Sequence, residues 1–305
     1  DLANKLLPGF DFVSGLSEAA DGDGWDSDPS DPGDGLTTQD LATAELAGCG
    51  GGADGSQPQN SSWHGTKVSG IAAAQGNNAT GISGVGWDLK ILPVRALGKC
   101  GGRDSDLIAA MRWAAGIEVK GAPLNPNPAK IINLSLGGQN SCSRAYADSI
   151  ADVIATGTLV VAAAGNSTGP VEEPGNCPGV LAVAGVRHEG NKVGYSSYGR
   201  EVGISAPAGN CVNETGACLF PFYTTSNDGQ FTPHNDIYTG QANEITVGTS
   251  FATPLVAGVA GLMLSAHPDL SPAQLISRMK NTAKAFVFDS SLPTCPVVMP
   301  DSSSK

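Results

Sequence analysis

Positive charge is scarce in this sequence: Lys and Arg number 17 against 29 Asp and Glu, a formal net charge of -12. That balance disfavours nucleic acid and anionic membrane as partners, since both are polyanions. No run reaches the roughly 18 consecutive apolar residues of a membrane-spanning helix. No basic-then-apolar leader opens the chain, so any export signal is expected outside these residues. No Cys-x-x-Cys pair occurs, which removes the usual sequence sign of zinc or dithiol redox chemistry. Internal repeats are absent, the one low-complexity stretch is the Ser-rich end from Asp301 to Lys305, and the chain has only four histidines.

What is present suits one large core. With 305 residues and 40% hydrophobic content, a single α/β domain and a soluble, secreted protein are expected. Seven cysteines lie mostly in Gly- and Pro-rich loops, a pattern of disulfides formed in an oxidising compartment. Connectivity does not follow from sequence. The pairing expected is Cys49 with Cys100 and Cys142 with Cys177, each tying neighbouring loops, and Cys211 with Cys218 closing a short one. Cys295 is left over, either free or paired beyond Lys305.

Strand signals at residues 90–97, 130–136, 159–164 and 180–186 alternate with helical ones. Pro93 argues for an irregularity in the first strand. One helix is read from a cap at Asp104 and Ser105 and from Leu107, Ile108, Met111 and Ala115 at helical spacing. Others are read at 145–156 and, capped by Ser271, at 272–284. Continuous apolar strands separated by helices imply a mostly parallel central sheet with helices on both faces, a three-layer α/β arrangement. Residues 230–245 read as a long polar loop. Near the start, Asp21, Asp23, Asp26, Asp28, Asp31 and Asp34 crowd one loop rich in turn residues. Such carboxylates repel one another unless solvent or a hard cation screens them, and Ca²⁺ takes six to eight oxygens from loops of this kind. Bound Ca²⁺ is expected there, with a merely solvated acidic loop as the alternative.

Three blocks carry the chemistry. The first is Gly248-Thr249-Ser250-Phe251-Ala252-Thr253-Pro254, leading into the apolar run 255–264. A serine at the head of a buried helix is either an N-cap or a nucleophile, since free N–H groups and the helix dipole favour a developing oxyanion. Pro254 reads as a first-turn proline whose missing N–H costs nothing. The second block is His64-Gly65-Thr66-Lys67-Val68-Ser69-Gly70, and the third is the buried run ending in Ala162-Ala163-Ala164-Gly165-Asn166. Together they supply a nucleophile, a base and an oxyanion donor.

In these blocks the chain resembles the subtilisin-like serine proteases, whose Ser block reads Gly-Thr-Ser-x-Ala-x-Pro and whose His block reads His-Gly-Thr-x-Val-x-Gly. The resemblance implies a serine endopeptidase with Ser250 as nucleophile, His64 as general base and Asn166 as oxyanion donor. Ser135, Leu136 and Gly137, with Ala163 and Ala164, resemble two walls of the family's primary specificity pocket. Gly101 and Gly102 resemble the edge that pairs with an extended substrate. Glu172 and Glu173, in the following loop, are read as surface acids, with an acidic pocket mouth as the alternative. Asn77-Asn78 resembles a second family calcium loop, one residue too far from His64. The resemblance also implies protein and peptide substrates, a propeptide and a monomer.

The family's orienting Asp precedes its His in Asp-Thr-Gly or Asp-Ser-Gly, and neither tripeptide occurs here. Of ten aspartates before His64, Asp11 alone has a strand-like setting, downstream of an Asp1-Leu2 segment that the family places after its catalytic Asp. The expectation is therefore that the Asp lies upstream, that this chain lacks N-terminal strands and a C-terminal end, and that it is nearly inactive by itself. A catalytically silent binding domain is the alternative. Acid-active carboxyl-serine peptidases share Gly-Thr-Ser but use Glu where this chain has His64.

Overall fold

A computed structural model describes residues 1–209, 220–240 and 246–286. The expected Cys211–Cys218 pair, Cys295 and the Ser-rich end fall outside these residues. The chain opens with β1 (Phe10–Asp11) and two single helical turns, α1 (Leu16–Ala19) and α2 (Thr38–Leu41). It continues through α3 (His64–Ala73), β2 (Val94–Arg95), α4 (Asp104–Ala114) and β3 (Ile131–Leu134). Then come α5 (Arg144–Ala155), β4 (Leu159–Ala163), β5 (Leu181–Val186) and β6 (Val202–Pro207). After the short pair β7 (Thr225–Asn227) and β8 (Asp236–Tyr238), the long α6 (Thr249–Ala266) and α7 (Pro272–Thr282) complete it.

Strands β3, β4, β5 and β6 form one parallel sheet in sequence order. Alternation along β4 shows how it is sandwiched. Val160 and Ala162 face a cluster with Met111 of α4 and Ile150 and Val153 of α5. Leu159 and Val161 face the other way, against Ala252, Val256 and Ala260 of α6 and Leu275 and Met279 of α7. Every β4 residue is buried, and removing one such Val or Leu side chain from water contributes about 1.5–3 kcal/mol. The three-layer α/β fold follows from that two-sided burial.

Several expectations need correction. The strand read at 90–97 shrinks to Val94–Arg95, because Pro93 has no N–H to give and serves only as acceptor, from Phe10 N at 3.3 Å. That strand pairs in parallel with β1, through Phe10↔Val94 and Asp11↔Arg95. Among the described residues no ladder joins β2 to β3, although Leu92, Val94 and Ala96 pack on the same core as Ile132 and Leu134. The cap of α4 is Arg103, whose side chain makes no capping bond, while Asp104 instead accepts from the Tyr146 hydroxyl. The loop read at 230–245 contains β8, which pairs antiparallel with β7; residues 241–245 are not described. Helix α6 does reach the length and mean hydropathy, 1.5, of a spanning helix, but over half of it is buried inside the fold.

Two disulfides join Cys49 to Cys100 and Cys142 to Cys177, with Cα atoms 5.1 and 5.0 Å apart. Closing loops of 51 and 35 residues contributes about 4 kcal/mol each in the chain-entropy account. The α7 cap is as expected: the Ser271 hydroxyl accepts from Gln274 N and Gln274 Oε1 from Ser271 N, a reciprocal box. Truncating Ile150, fully buried between α5 and the sheet, should cost about 2–5 kcal/mol. Denaturant unfolding of Ile150→Ala reads this directly, and Arg144→Ala, on an exposed helical ion pair, should leave the midpoint nearly unchanged.

Candidate active site

The site is built at the carboxyl end of the parallel sheet, where α6 begins. Gly248 precedes the helix at φ 145°, and a Cβ there would lie 3.5 Å from Asn166 Nδ2. The backbone angle is what calls for glycine, since 3.5 Å is ordinary van der Waals contact. Thr249 is fully buried and donates both its N–H and its hydroxyl to Asn166 Oδ1, at 2.9 and 3.0 Å. Its hydroxyl also accepts from Gly165 N at 3.2 Å. With Oδ1 held in this way, the Asn166 amide nitrogen has no partner among the described residues, and the side chain is exposed.

Pro254 lies inside α6 rather than in its first turn, which corrects the expectation that its missing N–H costs nothing. The absent donor is the one that would bond the carbonyl four residues back, that of Ser250. The Ser135 hydroxyl takes its place, donating to Ser250 O at 2.6 Å, and itself accepts from Asn133 Nδ2 at 2.9 Å. The polar groups of the first turn are thus tied to the segments that follow β3 and β4.

His64 opens α3 after Trp63, a buried left-handed residue (φ 49°) anchored by its indole N–H on Gly229 O. The His64 N–H donates to Ser62 Oγ, and Ser62 in turn donates its N–H and hydroxyl to the two Asp34 oxygens, both at 2.6 Å. Across the helix pair, the His64 ring lies 5.5 Å from that of Phe251, the residue after Ser250. Burial, with Lys67 nearby, holds the imidazole pKa below its ordinary value against a weaker upward pull from Asp34. The shift favours the neutral imidazole. Among the described residues, no carboxylate is bonded to it.

The expected substrate-binding residues divide. Ser135, Leu136 and Gly137 follow β3, and Ala163 and Ala164 end β4, so parallel pairing of Leu134 with Ala162 brings both segments beside Ser250 and Asn166. Glu173 is buried, with Oε1 accepting from Ser143 N at 2.6 Å, so it braces the N-cap residue of α5 and is not a surface acid. Gly101 and Gly102 belong to an exposed turn closed by Gly98 and line a cleft with Glu18 and Arg103.

The acidic loop is less convergent than expected. Of its six acids, Asp21 and Asp26 alone join a carboxylate cluster among the described residues, and the third member is Asp11, with ligand oxygens all within 4.8 Å. Arg95 bridges Asp11 and Asp21, and burial pushes the Asp11 carboxyl up to about 6 against Val13 N–H and Arg95. Asp28 and Asp31 turn back on the N–H groups of Ser30 and Gly33, Asp23 is exposed, and Asp34 holds Ser62. Asn78 gives its amide to Asp1. Sequence reading missed Asp11 as a cluster member, because its partner Arg95 is 84 residues away, and missed the Asp34–Ser62 support of His64.

Comparison with known proteins bears on this geometry. Residues 39–294 match the family model described as the Subtilase family, Peptidase_S8. The chain is 41% identical over 288 residues to an "Extracellular protease" of Xanthomonas campestris pv. campestris, covering 93% of this chain and 45% of the relative. It is 32% identical over 226 residues to "Subtilisin DY" of Bacillus licheniformis, covering 72% and 70%. A solved protease from Pseudoalteromonas arctica superposes with a TM-score of 0.84 at 42% identity, covering 94% of this chain and 79% of that one. The chain spans about half the length of the first two curated relatives it matches. Removing the Ser135 hydroxyl (Ser135→Ala) should strand the Ser250 carbonyl and cost about 1–3 kcal/mol; thermal unfolding of the variant, compared with Ser141→Ala in an exposed loop, checks it.

Proposed function

Because the chain belongs to the subtilase family, we propose that it is the peptidase domain of a secreted serine endopeptidase acting through Ser250, His64 and Asn166. The observation that carries this reading is the double bond from Thr249 to Asn166 Oδ1. It leaves the amide nitrogen free beside the start of α6, next to Ser250. Two relatives are named "Extracellular protease" and "Extracellular basic protease", and two disulfides fit an oxidising compartment.

On this reading the neutral His64 imidazole accepts the Ser250 hydroxyl proton as the oxygen attacks the scissile carbonyl. The tetrahedral oxyanion receives the Asn166 amide and the Ser250 N–H, both preorganised before charge develops. His64 then hands its proton to the departing amine, leaving an acyl-serine that water hydrolyses by the same steps in reverse. The imidazolium formed midway calls for a carboxylate. Asp34 already serves Ser62, and Asp11 carries Arg95. Among the described residues no carboxylate is bonded to His64, and the gap between the β2 and β3 ladders is where a further strand carrying an orienting Asp would fit.

Calcium enters the same reading in narrowed form. Asp11, Asp21 and Asp26 are hard oxygen donors that one Arg95 guanidinium leaves with an excess of negative charge. Bound there, Ca²⁺ would screen that repulsion and stiffen the loop. Ca²⁺ should raise the Tm of the full-length protein and chelation lower it, with the response lost in Asp26→Asn; a wild-type Tm indifferent to both rejects the site.

Activity is tested on the full-length protein with a fluorophosphonate probe and a denatured protein substrate. Labelling should map to Ser250 and vanish in Ser250→Ala. Asn166→Ala should lower kcat by about 10²–10³, a magnitude measured on subtilisin itself and carried over rather than obtained from this geometry. A full-length protein that neither labels nor cleaves would instead be a silent binding domain.

A further inference from the structure

Glu172 lies in the loop that leaves Asn166, and the backbone fixes it between the two segments flanking Ser250. Its N–H donates to Ala164 O at 2.9 Å, while Gly138 and Glu173 exchange reciprocal N–H to O bonds at 2.9 and 3.0 Å. The loop is thereby stapled to the end of β4 on one side and to the segment after β3 on the other. The side chain fills the interval. A Cβ built on Gly165 would lie 2.3 Å from Glu172 Cδ and 2.4 Å from its Oε1, and one on Gly137 would lie 3.3 Å from its Oε2. Both walls present glycine to the carboxylate, and a side chain on either would crowd it, most closely at Gly165.

The neighbouring acids have different fates. Glu173 is buried and committed to the cap of α5. Glu172 is half-buried, and among the described residues its carboxylate has neither an ion pair nor a hydrogen bond. A negative charge held half out of water and without a counter-charge attracts a cation more strongly than a surface acid does, because solvent screens it less. Gly165 directly precedes Asn166, and the segment carrying Gly137 begins at Ser135, which holds Ser250 O. On the endopeptidase reading, a substrate side chain that enters between these walls meets that carboxylate.

We propose that Glu172 determines specificity, selecting peptides with Arg or Lys on the acyl side of the cleaved bond. This rests on the endopeptidase reading above and deepens it. A guanidinium or ammonium pairs with the free carboxylate through charge-assisted hydrogen bonds. A large aromatic side chain must displace or bury the same charge unpaired, which disfavours it.

The test measures kcat/KM on the full-length protein for matched peptide p-nitroanilides ending in Arg, Lys or Phe, with fluorophosphonate labelling of Ser250 in the same samples. The wild type should prefer Arg and Lys over Phe. The isosteric Glu172→Gln should lower the Arg-to-Phe ratio by about 10- to 100-fold, the range of a single hydrogen bond to a charged group. Glu118→Gln, which removes an equal charge from an exposed site, should leave the ratio unchanged and so exclude a net-charge effect. Labelled enzyme that prefers Phe, or whose ratio survives Glu172→Gln within twofold, overturns the assignment of Glu172 alone. Absence of both labelling and cleavage of every peptide overturns the endopeptidase reading and this proposal with it.

Discussion

The first turn of α6 cannot satisfy its own polar groups, and the rest of the site depends on how that deficit is met. Thr249 N has no carbonyl one turn earlier, and Ser250 O has no donor because Pro254 occupies the position that should supply one. Asn166 meets the first need and Ser135 the second. These partners come from the ends of adjacent parallel strands, so the register of β3 on β4 sets the helix start to within hydrogen-bond tolerance. An unmet buried carbonyl or N–H costs about 1–3 kcal/mol, a large fraction of a domain's net stability.

The same economy of backbone bonds organises the surroundings. The loop after Asn166 is held by Ala164 O and by the Gly138–Glu173 exchange, which is why two consecutive glutamates have opposite surroundings. Glu173 completes α5 from within, while Glu172 stays beside the cleft. On the opposite bank, Trp63 in a left-handed conformation turns the chain abruptly into α3, and Asp34 braces that turn through Ser62. His64 and Ser250 are held through their backbone groups by Ser62 and Ser135, Asn166 through its side chain by Thr249, and the two banks meet through the Val68, Ile71 and Phe251 contact.

Much of this is legible in the sequence, for identifiable reasons. The β4 run 159–163 is apolar at every position, and Ser271 with Gln274 announces the start of α7, so local pattern and tertiary packing agree there. His64, Ser250 and Asn166 stand out because the chemistry demands those residue types at helix starts and strand ends. What escapes local reading depends on distant partners. Nothing near Asp11 signals Arg95, nothing near Pro254 signals Ser135, and the brief β8 exists only because β7 is beside it. Pro93 cut its strand short by removing a donor, while Asp104 was drawn from capping by a tyrosine on the next helix.

One covalent feature has a bearing on durability. The bridge from Cys142 to Cys177 encloses α5, β4, Asn166 and Glu172 in a single ring of chain. The turn just past Asn166, at Ser167 and Thr168, is exposed and so offers an opening to proteolysis in whatever mixture of enzymes the protein meets. A nick there would leave both new ends tethered through sulfur, and the strand-to-strand ladders on either side would still hold them in register. Cleavage at that turn is thus converted from a loss of half the molecule into a local break.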